Sequence, residues 1–424
     1  MIANPPQKGR TAGVLFIFFT LLIDVVGFGL IIPILPQLVA HFLGGDLSRA
    51  STYFGLLTAA FTLMSFIFAP IQGALSDQYG RKPILLLSLA GTALSHLMFA
   101  FAPSLAWLFV ARIVSGIAGA SFSVGGTYIA DVSAPEDRGK NFGMIGAAFG
   151  LGFIIGPALG GVLAHFGMRV PFYVATVLTT LNLLYGIMFV PESHQLENRR
   201  PFSWAKANPV GWAKVLAQYP IVLGFVGSIF FLSLGQQSLQ NTWVLFTSYR
   251  FHWSPVENGL SLAMVGLVSA VVQGGLIRLI LPKLGERRAI TVGYFIQAVA
   301  LILYGVAPFG WMLYVILAFG GLGGIAMPAT QGLISRNVGA HEQGIVQGAL
   351  MSLMSLTGVI APLFANTLFA KFTGPAAPID LPGIPFFLGA GCTAIALFNA
   401  WRLFRRHPET TTEPAQSPAV TSAS

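Results

Sequence analysis

The segment GALSDQYGRKP, residues 73–83, joins two long apolar runs and carries charges that those runs lack. Its glycines allow a tight turn and close backbone approach, because glycine has no Cβ. Asp77 can pair with Arg81, or accept hydrogen bonds at the N-terminus of the helix that follows. Such a cluster predicts a conformational gate, and the alternative is a basic loop that only fixes topology. The candidate gate residues in this segment are Gly73, Asp77, Gly80, Arg81 and Lys82.

Apolar runs of about twenty residues recur on both sides of this loop, each long enough to cross roughly 30 Å of hydrocarbon. Of the 424 residues, 55% are hydrophobic and only 9% are charged, and 49 are glycine. So few charges cannot build a water-facing surface. The pattern predicts an all-α membrane protein with twelve transmembrane helices between residues 13 and 403.

The net charge of +9 would suit nucleic-acid binding in a soluble chain, but the placement of the charges excludes it. Of the 23 Lys and Arg residues, 18 lie on the side of the N-terminus, four lie on the other side, and Arg112 lies within a span. By the positive-inside rule both termini are cytoplasmic. We therefore expect a multi-pass protein of the bacterial inner membrane, with membrane lipid and a small-molecule substrate as partners and no nucleic acid.

A charged interruption divides the spans six and six, and the two halves align at a constant offset of 205 in residue number. Six glycine or proline matches at one gap-free offset indicate duplication of a six-helix unit. Duplicated bundles are typical of transporters, although duplication that serves only folding is an alternative. The matched pairs are Gly80 with Gly285, Pro103 with Pro308, Gly116 with Gly321, Gly119 with Gly324, Gly139 with Gly344, and Pro157 with Pro362.

The predicted organisation follows from this division. It comprises a cytoplasmic N-terminus (1–12), a first six-helix bundle (13–190), a cytoplasmic linker (191–218), a second bundle (219–403) and a disordered cytoplasmic tail (404–424). In the linker, Trp204 and Trp212 suit a short helix in the membrane interface, and a solvated loop is the alternative. The tail is too polar to pack.

Asp24 is the only acid in the middle of a predicted span, and Arg112 is the only base within one. A charge in hydrocarbon is expensive, so ionisable groups there usually serve ion or substrate pathways. A proton on Asp24 would cancel its attraction to Arg112, so we predict that the pair couples transport to proton movement. A static ion pair is the alternative. His96 could join a proton relay, but a lone histidine among apolar residues is more often a packing residue.

Uncharged amides in the second half are the candidate substrate-binding groups, because amides that face a cavity suit hydrogen bonding to an amphipathic ligand. Residues 237 and 241, and 236 and 240, are helical neighbours four apart. Hydrogen bonds between helices would explain these amides nearly as well. The candidates are Gln236, Gln237, Gln240, Asn241, Gln273 and Gln297.

Several of these segments resemble the drug:proton antiporters of the major facilitator superfamily, and most closely the tetracycline efflux group. The resemblance covers residues 13–403 and rests on LLIDVVGFGLIIPILPQL (21–38), the loop 73–83, the stretch 112–161 and TWVLFTSYRFHWSPVENGLSLA (242–263). It implies two six-helix bundles related by pseudo-two-fold symmetry. It also implies a drug efflux antiporter that confers antibiotic resistance, with the proton as coupling ion and no other cofactor.

The resemblance assigns roles to particular residues. A kinked, glycine-rich helix in span five matches the antiporter signature, which is thought to seal the path against leak of the coupling ion. The matching residues are Gly152, Gly156, Pro157, Gly160 and Gly161. The charged positions that matter in the group are matched by Asp24, Asp77, Arg81, Arg112 and Asp131, and a polar position in span eight is matched by Gln273.

Three residues of the tetracycline efflux group are missing from this chain. Where the group has an acid in span three, this chain has Ser95. Where the group has a histidine in span eight and an acid in span nine, this chain has Ser269 and Gln297. In the group these residues are linked to proton coupling and to metal-chelated tetracycline. We therefore expect the substrate to be another amphipathic compound rather than tetracycline itself.

Other classes of function fit less well. Proton-coupled uptake of a nutrient or siderophore-like compound is the main alternative, since the same fold supports it. A membrane-embedded enzyme or receptor is remote, because the spans supply no convergent catalytic set, and we expect no catalytic residue and no metal site. No G-x-x-x-x-G-K-[ST] string is present, so ATP is not expected to drive transport. One chain supplies both halves, so a monomer suffices.

Overall fold

A computed structural model describes residues 7–119, 121–134, 137–199, 201, 220–336, 338 and 343–406 of the chain. Within these ranges the regular secondary structure is entirely helical. Twelve of the helices, numbered α1 to α12 below, are long and apolar enough to cross a membrane. The predicted all-α fold with twelve spans is therefore confirmed. The predictions for Trp204, Trp212 and residues 407–424 lie outside the described residues.

The helices of the first half are α1 (Gln7–Ile31, extended by Leu35–Phe42), α2 (Leu47–Tyr79), α3 (Arg81–Ala100), α4 (Leu105–Ala118 and Ser121–Val132), α5 (Arg138–Ala164) and α6 (Val170–Phe189). Those of the second half are α7 (Pro220–Phe251), α8 (Pro255–Val271, a π turn Val272–Leu276 and Ile277–Leu284), α9 (Glu286–Val306), α10 (Gly310–Gly321, a 3₁₀ turn Leu322–Ile325 and Ala326–Arg336), α11 (Gln343–Thr373) and α12 (Ile384–Arg406).

Equivalent positions of the two halves share local geometry. Gly80 and Gly285, which the sequence offset pairs with each other, both have positive φ angles, of 106° and 73°, and each separates two helices. Pro157 and Pro362 both lie inside helices, α5 and α11. Helices α4 and α10 are both irregular at matching places, after Ala118 and from Leu322 to Ile325. These likenesses support the duplication that the offset predicts.

The two halves pack against each other at one end of the bundle. We call this the Gly44 end, after the turn between α1 and α2, and the opposite end the Gly80 end. On α2, Ser51 donates hydrogen bonds to the backbone oxygen and to Oδ1 of Asn366 on α11, at 2.9 and 3.1 Å. A Cβ added at Gly55 would lie 2.7 Å from the carbonyl oxygen of Pro362.

Helices α5 and α8 form a matching contact at the Gly44 end. A Cβ added at Gly161 would lie 2.5 Å from the carbonyl oxygen of Pro255, and one at Gly259 would meet the carbonyl oxygen of Pro157. Glycine is required at these positions because the two backbones touch. The halves are therefore joined by two equivalent backbone contacts, α2 on α11 and α5 on α8.

The same helix faces are uncovered at the Gly80 end. Gly73 lies about five helical turns beyond Gly55, and Gly143 lies about five turns before Gly161, so each shares the face of its partner glycine. No described atom lies within 4 Å of a Cβ built at either Gly73 or Gly143. Gly348 on α11 is equally uncovered. Among the described residues, a gap therefore separates the two halves at the Gly80 end.

Candidate transport site

Asp24 lies in the interior of the first half, where only 6% of its surface is exposed. Its Oδ2 accepts a hydrogen bond of 2.5 Å from the hydroxyl of Ser121, the first residue of the second segment of α4. Its Oδ1 has no hydrogen-bond partner among the described residues. The carboxyl group thus lies at the N-terminus of a half-helix, where backbone N–H groups favour negative charge.

Arg112 is also buried, on the first segment of α4, but it does not pair with Asp24. Its guanidinium carbon lies 5.2 Å from the ring centroid of Phe61 and 5.6 Å from that of Phe99. Its Nε has no hydrogen-bond partner, and no ion pair joins Arg112 to an acid within the described part of the chain. The static ion pair considered from the sequence is therefore absent in this conformation, and aromatic faces stabilise the cation instead.

The break in α4 separates the segment that carries Arg112 from the segment whose first residue, Ser121, binds Asp24. Side chains of neighbouring helices stabilise this break. A helix that stops in the interior leaves its last carbonyl groups without partners, and these must be satisfied where water is scarce. Gln72 of α2 donates to the carbonyl oxygen of Ile117, and Ser88 of α3 donates to that of Ala118. Sequence reasoning missed these polar residues, and two small residues, Gly116 and Gly119, were the only local signal.

The glycines of the antiporter signature pack α5 against the helix that carries Asp24. A Cβ added at Gly152 would lie 2.6 Å from Cβ of Val25, and one at Gly156 would lie 2.9 Å from the carbonyl oxygen of Val26. Gly160 packs against Leu30 in the same way. On its other face α5 presents Pro157 and Gly161 to α8, so this helix connects the buried carboxyl group to the contact between the halves.

His96 has a packing partner. Its Nδ1 lies 3.2 Å from the hydroxyl oxygen of Thr179 on α6, and only 2% of the residue is exposed. The neighbouring Ser95, at the position where the tetracycline efflux group has an acid, is fully buried and donates to the carbonyl oxygen of Thr92 at 2.8 Å. These contacts fit the packing alternative for His96.

The candidate substrate-binding amides of α7 differ in their exposure and in their distance from the contact between the halves. Gln237 lies where the contact between the halves ends, since a Cβ added at Gly358 would lie 2.7 Å from Cγ2 of Thr62 and 3.1 Å from Nε2 of Gln237. Gln236 and Gln240 are exposed. Asn241 donates to the carbonyl oxygen of Gln237 at 2.8 Å within its own helix.

Gln273 and Gln297 differ in their surroundings. Gln273 is exposed in the π turn of α8, about four helical turns beyond Gly259 and therefore close to the same helix face. Such π turns often occur at functional sites. Gln297 is half-buried, and a Cβ added at Gly323 of α10 would lie 2.5 Å from its Cγ. The location of Gln297 between α9 and α10 therefore favours the alternative that this amide forms hydrogen bonds between helices. Gln273 is better placed to face a cavity and bind substrate.

The predicted gate residues form a compact ionic cluster at the Gly80 end. The Nη1 atom of Arg81 donates to Asp77 and to the hydroxyl of Ser76, both at 2.6 Å, and its Nε donates to Asp131 of α4 at 3.0 Å. Only 6% of Arg81 is exposed. Lys82 donates to the carbonyl oxygen of Ile187 on α6 at 2.9 Å. The cluster therefore ties α2, α3, α4 and α6 together.

Glu192, directly after α6, has the role at the α3 N-terminus that Asp77 was considered for. Its carboxylate accepts the backbone N–H of Arg81 at 2.8 Å and that of Lys82 at 3.2 Å. A Cβ at Gly80 would collide with this carboxylate, so Gly80 needs to be glycine for space as well as for its φ angle. Gly73, in contrast, has no described atom within 4 Å of its Cβ position. The Pro–Glu pair that follows span six was the available signal for Glu192.

Comparison with known proteins identifies the fold and the relatives. The model of the Major Facilitator Superfamily matches residues 17–362 and 283–423. The chain is 38% identical to the class C tetracycline resistance protein of Escherichia coli, over 89% of this chain and 93% of that protein. It is 35% identical to the class H tetracycline resistance protein of Pasteurella multocida, over 92% and 95%. The human organic anion transporter MFSD10 has a similar structure, with a TM-score of 0.67 at 25% identity, covering 93% of this chain and 100% of that one.

Proposed function

This chain belongs to the Major Facilitator Superfamily, and on that premise we propose that it is a proton-coupled antiporter that exports a small amphipathic compound. The resemblance to tetracycline resistance proteins supports drug efflux as the direction of transport. Buried Asp24 carries the proposal for coupling, because this ionisable group has no counter-ion among the described residues and lies beside the helix that connects the halves.

The proposed transport cycle is a rocking of the two halves. Among the described residues, the Gly44 end is packed and the Gly80 end is open, and the uncovered glycines at the Gly80 end lie on the same faces as the packed ones. Closing the Gly80 end would bring Gly73 and Gly143 towards the opposite half, as Gly55 and Gly161 are now. With both termini in the cytoplasm, the present arrangement would be the inward-facing one.

The proposed proton carrier acts through its hydrogen bonds and charge. When Asp24 is ionised, its negative charge is favoured by Ser121 and by the half-helix N-terminus. When it is protonated, that interaction weakens, and any attraction between the carboxylate and the Arg112 cation is cancelled. Because α5 packs directly on α1 through Gly152 and Gly156, a shift of α1 would reach the contact of α5 with α8.

One proton is a sufficient driving force for substantial export. The membrane potential contributes about 2.3 kcal/mol per 100 mV, and a pH gradient contributes about 1.36 kcal/mol per unit. At 100 mV and one pH unit, one proton would therefore sustain roughly a 500-fold gradient of a neutral substrate. The proposal needs no other cofactor, and one chain in the lipid bilayer would contain the whole path.

The proposed substrate is bound by uncharged groups. Gln237 at the end of the contact between the halves and exposed Gln236, Gln240 and Gln273 offer amide donors and acceptors on the second half. Ser95 and Gln297 stand where the tetracycline efflux group has acids, and this loss disfavours metal-chelated tetracycline. A growth-inhibition screen of drugs and dyes, tetracycline included, in a host without its own pumps would identify the compound.

Proteoliposomes with an imposed pH gradient test the coupling. We expect substrate-dependent proton movement in the wild type and its loss in Asp24→Asn. Asp380→Asn is the matched control, because this exposed carboxylate at the Gly44 end has one hydrogen-bond donor among the described residues, the hydroxyl of Tyr249 at 3.1 Å. Unchanged proton movement in Asp24→Asn would contradict the coupling role. Net substrate accumulation driven by an inward proton gradient would instead favour uptake.

A further inference from the structure

The last helix of each half donates an asparagine amide to the first helix of the same half. In the first half, Nδ2 of Asn182 on α6 donates to the carbonyl oxygen of Thr20 on α1 at 2.8 Å. In the second half, Nδ2 of Asn399 on α12 donates to the carbonyl oxygen of Gly224 on α7, also at 2.8 Å. The two contacts join corresponding helices, so each half shows what an amide in this place can reach.

In the second half the amide also reaches the side chain one helical turn further along. Nδ2 of Asn399 lies 3.0 Å from Oγ of Ser228, and Ser228 stands four residues after Gly224. This follows from helix geometry, because a helical side chain points back towards the N-terminus and covers the turn before its own Cα atom. An asparagine that binds the carbonyl group of one residue therefore contacts the side chain four residues later.

In the first half the side chain in this place is the carboxyl group of Asp24. Asp24 stands four residues after Thr20, whose carbonyl oxygen accepts from Asn182. By the same helix geometry, the amide of Asn182 lies beside the Asp24 carboxyl group. Asn182 is fully buried and Asp24 is 6% exposed, so this place is shielded from bulk water.

Both side chains have an oxygen that lacks a hydrogen-bond donor. Among the described residues, Oδ1 of Asn182 and Oδ1 of Asp24 have no partner. An amide oxygen and a carboxylate oxygen are both acceptors, so they cannot bond to each other. A protonated carboxyl group is a donor, and its O–H would give both oxygens a partner. Since buried polar atoms are rarely left unpaired, the pair is suited to a shared proton.

The other ionisable groups packed around Asp24 have different partners. His96 of α3 lies close to α1, since its Cε1 is 3.4 Å from a Cβ built at Gly27, but its Nδ1 lies 3.2 Å from the hydroxyl oxygen of Thr179. Arg112 of α4 lies on two phenylalanine rings and has no acceptor atom. Helix α6 has no charged residue, and neither has the part of α5 that packs on α1. Asn182 is therefore the acceptor best placed for a proton on Asp24.

We propose that Asn182 is the hydrogen-bond partner of protonated Asp24, with the carboxyl O–H at Oδ1 of Asp24 donating to Oδ1 of Asn182. This inference rests on the proposed role of Asp24 as proton carrier, and it adds a positioning residue on α6. Ser121 and the half-helix N-terminus favour the ionised carboxylate, whereas Asn182 favours the neutral acid. The carboxyl group then has a buried partner in each of its two states, so proton uptake leaves no oxygen of this pair unsatisfied.

Infrared difference spectroscopy of the full-length protein in lipid nanodiscs tests this assignment. The C=O band of protonated Asp24 is the carboxyl band that acidic buffer adds in the wild type and does not add in Asp24→Asn. We expect this band to move to higher wavenumber, or to be lost, in Asn182→Leu, because the acid then lacks its acceptor. Asn399→Leu is the matched control, since it removes the corresponding amide of the second half, and it should leave the band unchanged.

A second measurement needs no substitution at residue 182. When the asparagine side chains carry ¹³C in the amide carbonyl group, the same difference spectrum should contain an isotope-shifted amide band. This band is expected because Oδ1 of Asn182 gains a hydrogen bond when Asp24 is protonated. It should be absent in Asp24→Asn and present in Asn399→Leu.

Two results would overturn the inference. A wild-type spectrum without an Asp24-dependent carboxyl band would show that this group does not take up a proton here. A band at the same wavenumber in the wild type and in Asn182→Leu would show that another acceptor, such as a bound water molecule, receives the hydrogen bond. The export proposal is judged separately, by proton movement in Asp24→Asn proteoliposomes, so the failure of one proposal can be told from the failure of the other.

Discussion

The two halves of this transporter share a backbone design but differ in where they place charge. At the Gly80 end, Arg81 of the first half pairs with Asp131, and at the equivalent positions of the second half Glu286 pairs with Arg336. Both halves therefore have an ion pair at this place, but the positions of the acid and the base are exchanged. In the interior the difference is greater. Asp24 and Arg112 have no charged residue at the equivalent positions of the second half, whose polar interior groups are uncharged amides.

This comparison indicates which features the architecture requires. The positive φ angles at Gly80 and Gly285, the prolines of α5 and α11, and the irregular turns of α4 and α10 occur in both halves, because the bundle depends on them. The sign of an ion pair is exchangeable, because attraction is symmetric between the partners. Among the described residues, the acid and the base buried in the membrane interior, Asp24 and Arg112, both lie in the first half, so the proposed proton coupling belongs to that half.

The largest expected difference between the halves concerns the two ion pairs. Arg81 is 6% exposed and donates to two carboxylates, so Arg81→Ala should cost about 3 kcal/mol through the loss of its hydrogen bonds to Asp77 and Asp131. The side chain of Arg336 is 74% exposed, so Arg336→Ala should cost about 1 kcal/mol or less. Unfolding in detergent measures both. Similar losses would show that the second pair is not the weaker one.

The backbone contacts at the Gly44 end should, in contrast, be equivalent. Gly55→Leu and Gly259→Leu each insert a side chain where a proline carbonyl of the other half now lies. Such overpacking costs about 1–3 kcal/mol, so each variant should favour separation of the halves at this end by roughly 5-fold to 150-fold. Thiol labelling of Ser248→Cys, in a Cys392→Ser background, measures the opening, because Ser248 accepts from Gln37 across the contact at 3.4 Å.

A glycine at the other end is the control for these variants. Gly274 of α8 has no described neighbour within 4 Å of its Cβ position, so Gly274→Leu should not increase labelling of Ser248→Cys. If only one of Gly55→Leu and Gly259→Leu increases labelling, the two contacts are not equivalent and the symmetry at this end is only apparent.

The smallest expected effect comes from reversing the second ion pair. Glu286→Arg and Arg336→Glu, made singly, should each lower stability by about 0.5 kcal/mol, because like charges then meet at a site that solvent reaches on the Arg336 side. The double variant restores an attractive pair with the polarity of the first half, and its midpoint of unfolding should return close to that of the wild type. A double variant less stable than both single variants would show that neighbouring cations such as Arg287 require the present polarity.

Particular residues show how far sequence reasoning reaches. The spans, the constant offset between the halves and the cluster around Arg81 could be predicted, because hydrophobic length, glycine and proline spacing and local charge are written along the chain. The acceptor at the α3 N-terminus could not, since Glu192 lies 111 residues from Arg81 and competes with the nearer Asp77. Gln72 and Ser88 were missed for the same reason, because the interruption of α4 that they satisfy has only a weak local signal.

The order of residues alone predicts a duplicated twelve-helix membrane protein with a carboxyl group buried in its first helix, because the length and polarity of each segment decide whether lipid or water surrounds it. Three features became visible only once the helices were packed together. Asp24 accepts a hydrogen bond from Ser121 and does not pair with Arg112, Gln237 and not Gln297 lies where the contact between the halves ends, and the halves are packed at the Gly44 end. These outcomes depend on which helix faces meet, and that is settled by the packing of all twelve helices together.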